Sequence, residues 1–252
     1  MTEYAKNLLE QYKNLDLPNV RALYSYMYSL IANEFTVEDN ILEVGAGLGG
    51  SAKFLRSTSI IRTDIIDSKT PTVIGSVDIH SLPFSDSYFD GLFALDAIHH
   101  CEDPSLAMRE IFRVCKDEGK VVIIEPFISL LSYPFYKLFH SEDVSWKLDP
   151  ESLKGVVDAR PNAGNQAILQ ALLKSKYFQE EIKSGRIKVL SYQKFAPFSL
   201  YITGGINNPL PTSESIVKSL INFEQRIPPK IMEWIASRQV IILQKSGSTR
   251  NL

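Results

Sequence analysis

The chain has 252 residues, with 27 Lys and Arg against 29 Asp and Glu, for a formal charge of −2. Hydrophobic residues at 44% and charged residues at 22% are globular values, too apolar for disorder, and the length suits one large α/β domain. Balanced charge removes the electrostatic case for a nucleic-acid partner, and two cysteines, Cys101 and Cys115, supply neither a disulfide framework nor a zinc set.

A reduced, cytoplasmic protein without a metal is therefore expected. The start, Met1 to Lys6, lacks the basic-then-apolar order of a signal peptide. The most apolar stretch, Val121 to Phe139, contains Glu125, Pro126, Pro134 and Lys137. It reads as a buried strand followed by an amphipathic segment, not as an integral membrane span.

In chain order, residues 1 to about 35 form two helical runs rich in tyrosine, punctuated by Pro18. Ile41-Leu42-Glu43-Val44 is a strand ending in Gly45-Ala46-Gly47-Leu48-Gly49-Gly50, and helical character resumes from Ser51 to Leu55. Further strands are expected at Ser59–Ile66, Thr72–Val77, Asp90–Leu95 and Lys120–Glu125, with an amphipathic helix from Pro104 to Cys115. Between Asp64 and Thr72 there is room for a loop but hardly for a crossover helix. Later elements are a helix over 163–184, a strand over 186–195, a loop over 196–212, helices over 213–223 and 229–237, and a final strand over 239–245. The tail from Ser246 to Leu252 is expected to fray.

The alternation implies a doubly wound, Rossmann-like, mostly parallel α/β sheet. A single domain over 1–252 is expected, with a helical N-terminal cap over 1–38 and a cofactor-binding core over 39–126. Residues 127–252 complete the sheet and carry substrate-side insertions.

A glycine turn between strand and helix lets backbone approach a ligand. Gly45, Gly47 and Gly50 satisfy the dinucleotide spacing G-x-G-x-x-G. Gly45, Gly47 and Gly49 equally satisfy G-x-G-x-G, preceded by Glu43. Asp64, ending the second strand, suits the ribose of any adenosine cofactor, so it leaves both a nicotinamide-dependent oxidoreductase and other adenosine-binding proteins open.

The later segments are more discriminating. Asp78-Ile79-His80-Ser81-Leu82-Pro83-Phe84 is followed by Tyr88-Phe89-Asp90, then by Asp96-Ala97-Ile98-His99-His100 and by Arg109-Glu110-Ile111-Phe112-Arg113-Val114-Cys115-Lys116. This ordered series resembles the class I S-adenosylmethionine-dependent methyltransferases of the type 11 small-molecule group, over roughly residues 41–126. The resemblance implies a seven-stranded sheet with the last strand antiparallel, S-adenosylmethionine as cofactor and S-adenosylhomocysteine as its product. Glu43 would orient the glycine loop, and Gly45, Ala46, Gly47 and Gly49 would line the methionine portion and ribose. Asp64 would take the ribose hydroxyls, Ile65 and Ile79 would lie at the adenine, and Asp78 would accept from its amino group. Leu95 and Asp96 would flank the methyl group.

Were a proton to be removed from the acceptor, a histidine would be the base. His99 and His100 follow the fourth strand and are the candidates, while His140 is a candidate from a different segment. Tyr4 and Tyr12 are candidate lid residues over the substrate, and His80 is expected to face solvent. The aromatic run Phe127 to Tyr136 suits a pocket wall, a membrane-surface patch or a dimer contact. The expected partner is a small-molecule, saccharide or lipid-like acceptor, with the protein a monomer or a homodimer. A non-catalytic cofactor-binding module is the remaining class.

Overall fold

Val121-Val122-Ile123-Ile124 is an unbroken apolar run, the signature of a strand covered on both faces, and it forms the centre of the sheet. The computed structural model describes residues 3–55, 59–67, 70–139, 144–145, 147–151 and 164–247. The strands are β1 (Ile41–Val44), β2 (Ile60–Thr63), β3 (Phe89–Leu95), β4 (Cys115–Pro126), β5 (Ile187–Phe195) and β6 (Arg238–Lys245). They pair in the order β2-β1-β3-β4-β6-β5. The first four are parallel, whereas β6 runs antiparallel to both β4 and β5, so the final strand has the expected direction.

Period-2 alternation divides the core. Leu42, Val44, Leu92, Ala94, Val121, Ile123, Ile241 and Leu243 face one way, against Met108 and Ile111 of α3 (Pro104–Val114). Ile41, Phe93, Val122, Ile124, Val240 and Ile242 face the other, against Leu23, Met27 and Ile31 of α2 (Pro18–Ala32). Those three α2 side chains are 0–1% exposed, and burying each contributes about 1.5–3 kcal/mol. Pro18 begins α2 without needing a donor, and Asp103 caps α3 by accepting the Leu106 N–H at 2.8 Å.

The described sheet has six strands, not seven. Thr72 to Val77 lies beside β2 but makes a single parallel bridge, Thr63 to Ile74. The Ile74 N–H donates to Arg62 O at 2.8 Å, and the Asp64 N–H to Ile74 O at 3.1 Å. Gly75 then packs against the Ile66 carbonyl, and Ser76 turns to φ 59°. A left-handed residue ends a ladder, so the apolar pattern of Val73, Ile74 and Val77 never becomes a strand. The helix expected from Ser51 is likewise reduced to a 3-10 turn, Gly50–Lys53.

The helix expected over 163–184 divides, in its described part, into α5 (Ile168–Leu172) and α6 (Lys176–Lys183). Ser175 separates them because its hydroxyl accepts the Phe178 N–H at 3.2 Å and starts a new helix. The loop expected over 196–212 contains a short helix, α7 (Ser199–Thr203).

The cap comprises α1 (Glu3–Asn14) and α2, and it lies against the C-terminal insertion. α2 packs on α7 and on α8 (Glu214–Glu224). Gln11 donates to the Asn207 side chain at 2.7 Å, and Asn14 and Asn19 donate to the Ile206 and Leu210 carbonyls, each at 2.8 Å. No helix among the described residues is long and apolar enough to cross a membrane.

Candidate active site

The parallel strands end on one edge of the sheet, where α/β proteins bind ligands. The glycine turn leaves β1 there. Gly45, at φ 71°, approaches the next turn so closely that an added Cβ would come within 2.3 Å of the Ala97 Cβ. Gly47, at φ 56°, has nothing within 4 Å of where its Cβ would be. One glycine is thus required by packing, while the other faces open space.

Beneath this turn lies a buried cluster. Alternation puts Glu43 and Arg62 on the α2 face, and both are under 10% exposed. Ser51 donates to Glu43 and accepts from Arg62 Nε at 2.7 Å. Arg62 Nε also stands 3.3 Å from the Glu43 carboxylate. Burial pushes the Glu43 carboxyl up to about 7, against the lowering effects of Ser51 and Arg62.

Asp64 connects the turn to β2. Its Oδ2 accepts the Gly47 N–H at 2.6 Å and its Oδ1 the Ile66 N–H at 2.9 Å. Burial nonetheless raises its carboxyl above the usual range. The neighbouring Ile65 is 62% exposed. Asp78 is exposed and accepts from the His80 amide at 2.9 Å and ring at 2.7 Å. Slight burial pushes its carboxyl up, but the two His80 interactions outweigh this and hold it low. His80 does not face solvent freely: its Nε2 accepts the Asp103 N–H at 3.1 Å and anchors the start of α3. Ile79 is half-buried against the α3 face.

A second charged cluster follows β3. Asp96 takes a left-handed conformation, φ 56°, and its Oδ1 accepts Arg238 Nη2 at 2.5 Å. Burial disfavours the Arg238 charge, but Asp96, with Tyr136 and Tyr24, more than restores it. Leu95 beside it is half-buried. Glu125, ending β4, accepts the Ala97 and Ile98 N–H groups at 3.0 and 2.7 Å and meets His99 Nδ1 at 2.5 Å. Of the histidine pair, His99 is therefore buried against Glu125. His100 is exposed and packs against it, with ring centroids 4.0 Å apart and the planes tilted by 39°. Donor atoms of Asp96, His99 and Glu125 lie within 4.8 Å of one another, but all three already serve these hydrogen bonds. The cluster is a polar network that fixes the turn.

Tyr12 comes to the same edge. Lys53, from the 3-10 turn, places its ammonium 3.9 Å from the Tyr12 ring centroid and donates to the Tyr12 carbonyl at 2.8 Å. The Tyr4 side chain and His140 lie outside the described residues, as does the tail beyond 247. A cleft of about 260 Å³ lined by Glu34, Phe35, Asp90 and Lys116 lies at the opposite ends of β3 and β4.

Sequence reasoning did not single out Ser51, Arg62, Glu125 or Arg238. Arg62 and Glu125 carry a usable signal, since each is a charge directly following an apolar run, Ile60-Ile61 and Val121 to Ile124. The segments that made the sequence series distinctive are joined physically. Arg113 donates to the Leu82 and Phe84 carbonyls at 2.9 and 2.8 Å, and Glu110 accepts the Leu82 N–H at 3.0 Å. Phe84 packs edge-on against Phe89 at 4.9 Å.

With this geometry in hand, comparison with known proteins is decisive. A family model described as a methyltransferase domain matches residues 42–123. The matched core is a methyltransferase domain of the class I S-adenosylmethionine-dependent type. A ubiquinone/menaquinone biosynthesis C-methyltransferase of Serratia proteamaculans is 26% identical over 185 residues, 60% of this chain and 73% of that protein. A glycine/sarcosine/dimethylglycine N-methyltransferase of Actinopolyspora halophila is 29% identical over 115 residues, 38% of this chain but only 20% of that protein. Two solved S-adenosylmethionine-dependent methyltransferases share the fold. That from Archaeoglobus fulgidus has a TM-score of 0.56 at 15% identity, covering 89% of this chain and 94% of the other. The one from Thermotoga maritima has a TM-score of 0.55 at 15% identity, covering 98% and 100%. Members of this class take their methyl group from S-adenosylmethionine, which removes the reason to read the Gly45/Gly47/Gly50 spacing as a nicotinamide site. Among the described residues, the turn is followed by the 3-10 turn Gly50–Lys53 and not by a long helix whose N-terminus would hold a pyrophosphate.

Proposed function

We propose that this methyltransferase moves a methyl group to an oxygen, nitrogen or carbon of a small-molecule, saccharide or lipid-like acceptor by in-line displacement, in the cytoplasm. The open space over Gly47, beside the Asp64 carboxylate and next to exposed Ile65, carries the reading, because it fits a nucleoside at the ligand-binding edge. S-adenosylmethionine, when bound, supplies an electrophilic methyl on a sulfonium that leaves as a neutral thioether.

The chain's own residues would bind and align. Glu43, through Ser51 and Arg62, sets the position of the turn made by Gly45, Ala46, Gly47 and Gly49. Asp64, already accepting from backbone N–H groups of the turn, would also accept from ribose hydroxyls. Ile65, Ile79 and Asp78 would take the adenine end. Leu95 and Asp96 would border the transferred group, held by Glu125 and His99 under their turn. Holding reactants in near-attack alignment contributes up to roughly 7–11 kcal/mol, so a rigid turn at this place has a direct effect on rate. Tyr12 would close the near side.

Isothermal titration with S-adenosylhomocysteine and with NAD tests the reading. Binding of the former without the latter is expected. NAD binding without S-adenosylhomocysteine binding would overturn it.

A further inference from the structure

β4 ends and β6 begins side by side at the ligand-binding edge, and the chain beyond each stays fastened to the other. Pro126 is in register with Arg238. The Phe127 N–H donates to the Ser237 carbonyl at 2.8 Å, and the Leu131 N–H to the Trp234 carbonyl at 3.1 Å. The turn before α4 (Ser132–Phe139) and the helix α9 (Pro229–Ile235) are thereby held as one surface.

That surface is apolar and open to solvent. Met232 and Ala236 turn inward onto Phe127, so Ile231 and Trp234, three residues apart on the other face of α9, turn outward. Trp234 and Leu130 are each 64% exposed, and Ile231 and Leu131 are exposed as well. An indole grouped with three aliphatic side chains in water marks a surface that meets something apolar.

The surrounding charges select the occupant. Arg226 and Lys230 are exposed and have no ion-pair partner among the described residues. Glu233, the acid of α9, is taken up by Lys194. The patch is therefore cationic on a chain whose net charge is −2. The run from Phe127 to Tyr136 contains no basic residue, so the fold joins its apolar side chains to cations drawn from 226–230. Pro228 and Pro229 stiffen that approach, which lowers the entropy lost when it is ordered on a surface. Tryptophan beside aliphatic groups and cations suits the headgroup zone of a bilayer, where the indole sits at the interface and Lys and Arg meet anionic lipid. The core of a protein–protein interface is instead depleted in lysine.

We propose that Leu130, Leu131, Ile231 and Trp234, with Arg226 and Lys230, form a docking surface for an anionic lipid bilayer, which the protein meets without spanning it. Docking there brings the ligand-binding edge to the lipid and suits an acceptor dissolved in the bilayer. That consequence rests on the methyltransferase reading, whereas the docking itself does not.

The test is co-sedimentation of the full chain with vesicles of equal parts phosphatidylcholine and phosphatidylglycerol, against phosphatidylcholine alone. Binding to the mixed vesicles is expected, weaker by at least about fivefold on phosphatidylcholine and weakened by added salt. The double variant Ile231→Ser/Trp234→Ser should lose at least about tenfold on mixed vesicles, and Lys230→Gln about fivefold. These side chains are exposed, so the variants should keep the parent's thermal midpoint and its affinity for S-adenosylhomocysteine. No binding to the mixed vesicles, or equal binding by the parent and the double variant, overturns the proposal. A dimer seen by light scattering without vesicles and abolished by the double variant would assign the patch to a second copy of the chain, and overturns it too. Vesicle binding without any S-adenosylhomocysteine binding would support the docking surface and overturn the methyltransferase reading alone.

Discussion

Glu43 and Glu125 lie on the ligand-binding edge of the sheet, on β1 and at the end of β4, and are 3% and 1% exposed. Burial opposes ionisation of both, yet their environments diverge. Glu125 accepts two backbone N–H groups and the His99 ring, and Arg238 is near. Those partners outweigh burial and hold its carboxyl below the usual range. Glu43 has a serine hydroxyl and one guanidinium, with the Asp64 charge pushing the other way, and is raised to about 7. The completeness of the donor shell therefore decides which buried acid stays charged. The turn under Asp96 rests on a permanent charge, whereas the turn under Gly47 rests on one that titrates near neutrality.

The sharpest way to break this contrast is Glu125→Ala, which strands a buried imidazole and two amides. It should cost about 3–5 kcal/mol of unfolding free energy in urea titrations, and a loss below about 1 kcal/mol would mean that the donor shell is not what holds the turn. The Glu43 case has the opposite sign with pH. Its folded value lies above the ordinary 4.5, so the folded state binds the proton more tightly. The stability linked to that proton is complete below 4.5 and is lost as pH rises through about 7, amounting to about 3 kcal/mol. Subtracting the urea-unfolding profile of Glu43→Gln from that of the parent should reveal this slope, and a flat difference would contradict it. A smaller effect is expected at the cofactor. Asp64→Ala should weaken S-adenosylhomocysteine binding by about 1–3 kcal/mol in isothermal titration, and unchanged affinity would refute the ribose assignment. Lys53→Met, which removes an ammonium that meets the Tyr12 ring and an exposed Asp16, should change the thermal unfolding free energy by under about 1 kcal/mol.

The glycine loop, Glu43 and Asp64 are legible in the sequence because they lie within about twenty residues of each other and follow a strand–turn pattern. The Leu-Pro-Phe segment and Arg113 were readable for a related reason, since one hydrogen-bond clamp requires both. Arg238 was not, because its partner Asp96 is 142 residues away and only the return of an antiparallel β6 brings them together. The seventh strand was expected from Val73, Ile74 and Val77, whose apolar character is real. Burial of Val73 and Val77 uses it, but the left-handed Ser76 stops the pairing. Likewise Ser175 reads as an ordinary helix residue until its hydroxyl is seen to begin α6. Period and propensity report what a segment can bury, not which hydrogen bonds compete for it.

The ties between the cap and the insertion have a consequence for how the protein is made. Gln11, Asn14 and Asn19 reach partners 191 to 196 residues later. At ribosomal speeds that gap lasts roughly 10–40 s. The apolar stripe of α2 can settle on Phe93, Val122 and Ile124 well before then, but its polar fastenings arrive only with residues 206–210. A nascent chain therefore carries an open edge of the sheet until residues 206–210 have emerged. Protease sensitivity of arrested chains should fall when that loop emerges.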